Sequence, residues 1–428
     1  MSSGMTSEPR PWAGLDPDLE LLAPGPGAGG IEAFLDRTQA DGGGPSWPAF
    51  DDARLAVLRD LSETLLAHPV LRRDPATVAV AFWMRPASVQ RLRTEFARRV
   101  EADPMLVLVP VGRVFHVAPA NVDTLFIYSW ALSFLCGNAN VVRLSRERGV
   151  VVEGLLEVMR AVASRHEALA FGNRFVTYAH DERVSAALSA WCGHRVVWGG
   201  DDTVAALRSV PLNPHASERV FGSKFSYSVF SAAAYRAAGP EERARVAGAF
   251  FNDMFWFDQM ACSSPHLLFW VGTEPGIEEE TRAFEAALEA EVVRRGLVTS
   301  AANAVLRRAF AFDLAADVDV RVGLGHSGFI GVQVNDPRGL GRETCGGGLI
   351  RHAHLGRMEE LAAFAREGDQ TVTHYGFSAA ELAATAFALG SRGVDRLVPV
   401  GEALAFDAVW DGYDLLADFT RRVRVKPA

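Results

Sequence analysis

The residue best suited to covalent chemistry is Cys262, in the stretch FDQMACSSPHLLFWVG. It falls where a helical pattern gives way to an apolar, strand-like run, a junction at which a side chain can face a cleft. A thiolate is a strong nucleophile, and its reactivity follows its pKa and exposure. Attack on a thioester carbonyl would move the acyl group to Cys262 and release the original thiol; hydride would then reduce the acyl group to an aldehyde. The competing reading is a buried structural cysteine, the usual fate of an unpaired Cys. Asn121, in VAPANVDTLF, sits between a strand-like and a helical pattern. Its amide can donate to a developing oxyanion, where one donor is worth about 2.7–4 kcal/mol, or it can cap the helix that follows.

A second group of residues has the character of a cofactor site. In GNANVVRLS, Gly137 closes a helix and a short strand carries Arg143 to its C-terminal end, with Ser145 just beyond. A guanidinium there can hold an adenosine ribose or a 2′-phosphate; with Arg146 and Arg148 nearby, it can equally belong to a solvated charge cluster. In VVWGGDDTVAAL, Trp198, Gly199 and Gly200 link a strand to a helix start, and helix N-termini favour anions. Asp201 and Asp202 suit the helix dipole but would repel a pyrophosphate placed on that turn, and there is no GxGxxG. Lys224, in FGSKFS, is a candidate contact to cofactor or substrate. Cys345 lies in a Gly-rich loop that could approach the cleft. His326, His352, His354 and His374 could carry protons but read more simply as surface or core residues, and Asp253 and Asp258 read as structural. The aromatic stretch NDMFWFDQM before Cys262 could line an acyl tunnel or simply pack in the core.

These residues need a scaffold, and the pattern supplies one. Residues 1–47 are rich in Gly and Pro and read as a loose lead-in, with a short helix near IEAFLDRTQ. Helical periodicity covers DDARLAVLRDLSETLLAH and PASVQRLRTEFARRVEA. From residue 105, short apolar strands (MLVLVPVGRVFHVAP, NANVVRLS, RFVTYA, HRVVWGG) alternate with helices, as in a parallel sheet covered on both faces. A nucleotide usually binds at the ends of such strands. A second α/β segment follows, with PEERARVAGAFFNDMFWF, GIEEETRAFEAALEAEVVRRG, RMEELAAFAREG and SAAELAATAFALG as helices and HLLFWVG, FIGVQVN and QTVTHYGF as strands. The tail TRRVRVKP alternates like an edge strand.

Composition narrows the field. The 428 residues are 49% hydrophobic and 22% charged, as in an ordinary globular protein. The net charge of −9 argues against nucleic acid as the main partner. Four scattered cysteines without a CxxC pair give neither a disulfide framework nor a zinc cluster, so no metal is expected, and scattered thiols fit a reducing cytosol. The start MSSGMTSEPRPWAG lacks the pattern of a signal peptide. The longest apolar run, residues 122–136, is too short to span a bilayer and fits a buried helix.

Taken jointly, Pro119–Asn121, Gly137–Asn138 with Val142–Arg143, Trp198–Gly199–Gly200 and Gln259–Met260–Ala261–Cys262 follow the order seen in the aldehyde dehydrogenase superfamily. More specifically, AFWMRPASVQRL, GRVFHVAPANVDTLFIYSWALSFLCGNANVVRLS, VVWGGDDTV, FGSKFSYSVF, FDQMACSSP, QTVTHYGF and GVDRLVPVGEAL with VWDGYDLL resemble the long-chain acyl-CoA reductases of the LuxC family, over about residues 80 to 425. The resemblance implies an α/β, aldehyde-dehydrogenase-like fold with a Rossmann-type cofactor domain at 48–235, a catalytic domain at 236–410 and a small oligomerisation element at 411–428. It implies NADPH-dependent reduction of a fatty acyl group, carried by CoA or an acyl-carrier protein, to the aldehyde. Cys262 would be the acylated nucleophile and Asn121 the oxyanion donor. Arg143 stands where ordinary aldehyde dehydrogenases carry a ribose-binding Lys, which favours NADPH over NADH. Hydrolytic members carry a Glu some thirty residues before the nucleophile; FGSKFSYSVFSAAAYR has no carboxylate, so the acyl-enzyme should outlast water. A dehydrogenase running toward acid, or an inactive scaffold for an acyl-activating partner, are the alternatives. The resemblance also implies a dimer or tetramer, pairing through TRRVRV.

Overall fold

The structure, a computed structural model, describes residues 10–25, 29–40, 48–103, 105–273, 277–323 and 325–426. The chain forms two compact units. The first takes the chain up to Gly222, Phe406–Val409 and the segment from Tyr413 onward; the second takes Ser223–Ala405 and Trp410–Gly412.

In the first unit, β1 (Glu20–Ala23), α1 (Ile31–Ala40), α2 (Asp52–Ala67), α3 (Pro75–Trp83) and α4 (Pro86–Glu101) precede β2 (Leu106–Pro110) and β3 (Arg113–Val117). There follow α5 (Leu125–Leu135), β4 (Ala139–Arg143), α6 (Val150–Ala163), α7 (Glu167–Gly172), β5 (Asn173–Thr177), α8 (Glu182–Trp191), β6 (His194–Trp198), α9 (Asp201–Arg208) and β7 (Ser217–Phe221). The helices start where the sequence caps them: the Asp51 side chain accepts from Arg54 N for α2, and Asp74 accepts from Thr77 N for α3. The sheet runs β1-β5-β4-β3-β6-β7, parallel throughout except for β1, which is antiparallel to β5. Its central strands are short and apolar because helices cover both faces. The apolar run 122–136, charged only at Asp123, gives α5 over Leu125–Leu135, buried from Phe126 to Leu135. Among the described residues no helix is long and apolar enough to cross a membrane. From β3 the chain first builds outward to β4 and β5, then returns to place β6 on the other side. That reversal opens a crevice beyond the C-terminal ends of β3 and β6, the usual place for a nucleotide in an open parallel sheet.

The second unit contains β8 (Phe225–Ser231), α10 (Ala232–Ala237), α11 (Pro240–Phe255), β9 (Pro265–Val271), α12 (Glu278–Arg295), α13 (Ala301–Asp317), β10 (Val320–Val322), β11 (Ile330–Val334), β12 (Leu349–Leu355), α14 (Leu361–Phe364), β13 (Asp369–Tyr375), α15 (Ala379–Leu389) and β14 (Arg396–Pro399). Its sheet runs β10-β11-β12-β9-β8-β13-β14, parallel apart from β10. One face buries an aromatic cluster in which Phe230 meets Trp270 edge-on at 5.7 Å and Phe250 meets Phe284 at 5.1 Å. The chain ends with β15 (Val409–Trp410), β16 (Tyr413–Asp414), α16 (Leu415–Asp418) and β17 (Thr420–Arg424).

The architecture departs from expectation in four places. The lead-in is not loose where it is described: β1 extends the sheet, and α1 buries Ile31, Phe34 and Leu35 in the first unit's core. The rest of that stretch, residues 1–9, 26–28 and 41–47, lies outside the described residues. The first unit stops at Gly222 rather than 235, because β8 pairs with β9 and β13. MLVLVP does not join the parallel sheet; β2 pairs antiparallel with β17, from Thr420↔Pro110 to Arg424↔Leu106. The expected tail strand therefore exists, with a partner from its own chain along one edge. RMEELAAFAREG yields only a 3-10 turn at Met358–Glu360 and the four residues of α14, since Arg342 takes the Phe364 carbonyl at 2.8 Å and Ala365 turns extended.

Candidate active site

Cys262 is delivered by a strained turn between α11 and β9. Asp258 and Gln259 both adopt left-handed backbone, at φ 49° and 61°, which costs a non-glycine residue about 1–2 kcal/mol. Gln259 offsets that cost with four hydrogen bonds from a fully buried side chain. Its Nε2 donates to Pro265 O and Leu349 O, each at 2.8 Å, and its Oε1 accepts from Gly348 N at 3.2 Å and Leu349 N at 3.0 Å. The loop opposite must approach closely, which explains its glycines. Gly347 N donates to Asp258 O at 2.8 Å, and a Cβ on Gly346 (φ 61°) would stand 2.4 Å from Met260 Sδ.

Around the sulfur, Ser226 on β8 donates to Cys262 O at 2.7 Å and accepts from Thr371 N at 3.1 Å. Gln370 on β13 places Nε2 3.4 Å from Cys262 Sγ and also donates to Asp411 Oδ1. Burial pushes the Cys262 thiol up to about 11; the Asp411 charge adds to the rise, while the Gln370 N–H and Arg396 oppose it. Burial likewise raises the Asp411 carboxyl to about 6, against its hydrogen bond from Gln370 and the charges of Lys224 and Arg396, with Asp395 adding to the rise. Lys224 thus faces the Asp395–Asp411 pair in the second unit.

The remaining predicted site residues lie in the first unit. Asn121 is exposed in the bend after β3; it is not the N-cap of α5, a position taken by Thr124 without a side-chain cap hydrogen bond. Arg143 closes β4 half-buried, with its guanidinium 5.0 Å from the Tyr178 ring and a buried Nε that has no partner. Close to it in sequence, Ser145 lines a small cleft open to solvent, together with Pro119, Ala120, Asp123, Arg148 and Gly149. Arg148 is committed to Glu153 at 2.7 Å and to Ser145 O at 3.0 Å. Trp198 is buried, stacked on Phe221 at 3.7 Å, with its Nε1 donating to Ser129 Oγ at 3.0 Å; its ring is spent on packing. Gly199 and Gly200 make the turn, with Gly200 as the N-cap of α9.

Other polar residues fall elsewhere. His326 and His352 approach the Glu285 carboxylate at 3.4 and 3.2 Å in a separate cluster. His354 bonds Gly272 O at 2.7 Å, and His374 is held low by burial. Asp253 accepts from Gly401 N at 2.6 Å and Ala403 N at 2.9 Å, fixing the turn after β14. Cys345 is half-buried, its thiol bonded to Gly346 O at 3.3 Å. Of the NDMFWFDQM stretch, Asp253, Met254, Phe255 and Gln259 are buried. Met254 and Phe255 belong to the aromatic core. Among the described residues no cluster of three His, Cys, Asp or Glu could hold a metal. Sequence reasoning missed Gln370 and Asp411, although QTVTHYGF and VWDGYDLL both stood among the stretches carrying the resemblance.

A family model described as acyl-CoA reductase (LuxC) matches residues 95–313, just over half of the chain. The chain belongs to the LuxC acyl-CoA reductase family. The matched span contains Asn121, Arg143, Ser145, Trp198, Gly199, Gly200, Lys224 and Cys262, and ends before Gln370 and Asp411. No curated protein matches the chain. Solved structures show the fold to be that of the aldehyde dehydrogenases. Betaine aldehyde dehydrogenase from Staphylococcus aureus is 14% identical, with a TM-score of 0.63 over 92% of this chain and 86% of that one. An aldehyde dehydrogenase of Sinorhizobium meliloti described as NAD-dependent is 14% identical, with a TM-score of 0.63 over 92% and 87%. A variant of P. syringae indole-3-acetaldehyde dehydrogenase, in complex with NAD+ and IAA, is 12% identical, with a TM-score of 0.63 over 92% and 87%.

Proposed function

We propose that this family member reduces a fatty acyl thioester, acyl-CoA or acyl-carrier protein, to the aldehyde with NADPH, through an acyl group held on Cys262. The observation that carries the reading is the placement of Cys262: an unpaired thiol on a clamped turn at the head of β9, its sulfur met by the Gln370 amide, in a chain of an acyl-CoA reductase family. The first unit offers a fitting place for the nucleotide. The buried, unpartnered Arg143 Nε wants an oxygen ligand, Ser145 close by in sequence lines a small cleft, and the Gly199–Gly200 turn opens at the crevice of the sheet. The buried ring of Trp198 shapes that turn from behind. Lys224 we now assign as counter-charge to Asp411 rather than as a cofactor contact. When bound, NADPH supplies the hydride.

The protein's own steps follow. Cys262 loses its proton and its sulfur bonds to the thioester carbon; the C–S bond to the carrier breaks, and the departing thiolate takes up a proton. Asn121 is assigned to steady the carbonyl oxygen as it gains charge. Once the acyl carbon is reduced, its bond to Sγ breaks, the aldehyde leaves, and Gln370 meets the returning thiolate. Subunit pairing is assigned to the β2–β17 ribbon, whose Val107 and Val423 are 42% and 37% exposed.

Mass spectrometry after incubation with a panel of acyl-CoA and acyl-carrier-protein substrates tests the reading. The expected result is one acyl adduct on Cys262, discharged as aldehyde when NADPH is added and absent in Cys262→Ala. Rapid conversion of aldehyde to acid with NAD(P)+, and no turnover of any thioester, would favour an acid-forming dehydrogenase instead.

A further inference from the structure

Gln370 and Asp411 are 41 residues apart, yet they meet beside Cys262. Gln370 is the second residue of β13 and fully buried. Its backbone oxygen accepts from Asp395 N at 2.8 Å, which fixes the strand at that point. An amide nitrogen has two hydrogens. Here one goes to Asp411 Oδ1 and the other to Cys262 Sγ, 3.4 Å away. Flipping the amide would set its oxygen against the carboxylate, so Asp411 dictates which way Gln370 points. Asp411 is itself held in an unusual backbone, φ 49°, followed by Gly412 at φ 73°. A Cβ on Gly412 would stand 2.7 Å from Asp395 Oδ1. Only 6% of Asp411 is exposed, and the Arg396 guanidinium beside it lies 4.5 Å from the Trp410 ring. A strained, buried carboxylate aimed at a buried amide is costly to maintain, and its visible outlet is the sulfur.

We propose that Gln370 and Asp411 are a positioning pair for Cys262: the carboxylate locks the amide, and the locked amide points one N–H at the sulfur and stabilises its thiolate. The proposal rests on reading Cys262 as the nucleophile. The two members act on the thiol with opposite signs. The Gln370 N–H favours the thiolate directly. Asp411 favours it through Gln370 but opposes it through its own charge. Arg396 also faces the sulfur and favours the thiolate, and Lys224, Asp395 and Arg396 are the charged groups facing Asp411. Asn at 411 keeps an acceptor oxygen for the Gln370 amide while removing the charge. Leu or Met at 370 removes the donor and keeps the volume.

The test is the pH profile of iodoacetamide alkylation at Cys262, read by mass spectrometry on the full chain and on Gln370→Leu, Gln370→Met and Asp411→Asn. Loss of a hydrogen bond to a charged acceptor should raise the thiol midpoint by about one pH unit, slowing alkylation roughly tenfold at pH 8 in both Gln370 variants. Asp411→Asn should lower the midpoint and speed alkylation. Unchanged midpoints, or shifts of the same sign in both positions, would overturn the proposal. Asp411→Asn is nearly isosteric, so its shift is readable even where a Gln370 variant fails to fold. The parent reading is scored separately by acyl labelling: opposite shifts without any acyl adduct on Cys262 would leave the pair standing and remove the reductase assignment.

Discussion

Replacing Gln259 with Leu should dismantle the turn that presents Cys262, and the structure gives the scale. The substitution keeps most of the volume but strands two carbonyls, Pro265 O and Leu349 O, and two amides, Gly348 N and Leu349 N, at a fully buried site. At a net value of about 1 kcal/mol per hydrogen bond the loss is about 4 kcal/mol, and more where a buried group finds no water. That is a large share of the 5–15 kcal/mol or so that holds a typical protein folded. The opposing term is the left-handed backbone at φ 61°, whose relief by Gly recovers only about 1–2 kcal/mol. Gln259→Gly should therefore also destabilise, by less than Gln259→Leu. Urea unfolding followed by near-ultraviolet circular dichroism reads the losses, and iodoacetamide reads the accompanying exposure of Cys262. A loss under about 1 kcal/mol for Gln259→Leu, or a gain for Gln259→Gly, would refute the idea that hydrogen bonds rather than backbone preference shape this turn.

Asp253 sets a pH dependence. Burial raises its folded pKa from the ordinary 3.8 to about 7, so its contribution to stability is complete below about pH 4 and is lost as pH climbs to 7, at about 1.4 kcal/mol per unit. Subtracting the unfolding free energies of Asp253→Asn from those of the parent should isolate that slope; a difference that stays constant from pH 5 to 8 would count against it. Gly346→Ala forces a Cβ to within 2.8 Å of Asp258 O at φ 61°, so it should cost several kcal/mol and loosen Cys262, measured as a lower melting temperature with faster alkylation. Arg143→Ala should weaken NADPH binding by tenfold or more, at about 1.5–3 kcal/mol for a charge-assisted contact, and weaken NADH less; calorimetric titration with both nucleotides decides, and equal losses would contradict a 2′-phosphate role.

Much of the fold is written locally. Apolar five-residue strands and capped helices dictate the parallel core, and α5 follows from an apolar run too short for a membrane. What escaped was non-local or atypical in pattern. β12 is Leu-Ile-Arg-His-Ala-His-Leu, whose polar residues mask a strand buried in the sheet; Arg351 is tolerated there because its guanidinium reaches Gly341 O at 3.3 Å and also Glu343 O. α13 hides because only Arg307 and Ala311 of its residues are buried. At the site, Cys262 and the glycines opposite it announce themselves by residue type. Gln370 does not, because nothing within its own strand implies a sulfur on one side and a carboxylate on the other. That meeting depends on a chain that returns to the second unit for three residues, Trp410–Gly412.

The carboxylate brought there bears on the fate of the acyl group. Hydrolysis needs a base that takes a proton from water near the acyl carbon, and Asp411, raised to about 6, is ionised at neutral pH and so carries enough basicity. Its Oδ1, however, is engaged by Gln370, whose other hydrogen meets the sulfur, so the structure spends this carboxylate on orienting an amide. The two roles predict different behaviour for Asp411→Asn. A base for water would be lost, so acid release from a preformed acyl-Cys262 would fall sharply. An orienting carboxylate replaced by an orienting amide would leave acid release as slow as in the parent and shift alkylation to lower pH. Acid release from an acyl-loaded sample, followed by rapid quench and mass spectrometry, separates them, and a collapse of acid release in the variant would return Asp411 to the role of hydrolytic base.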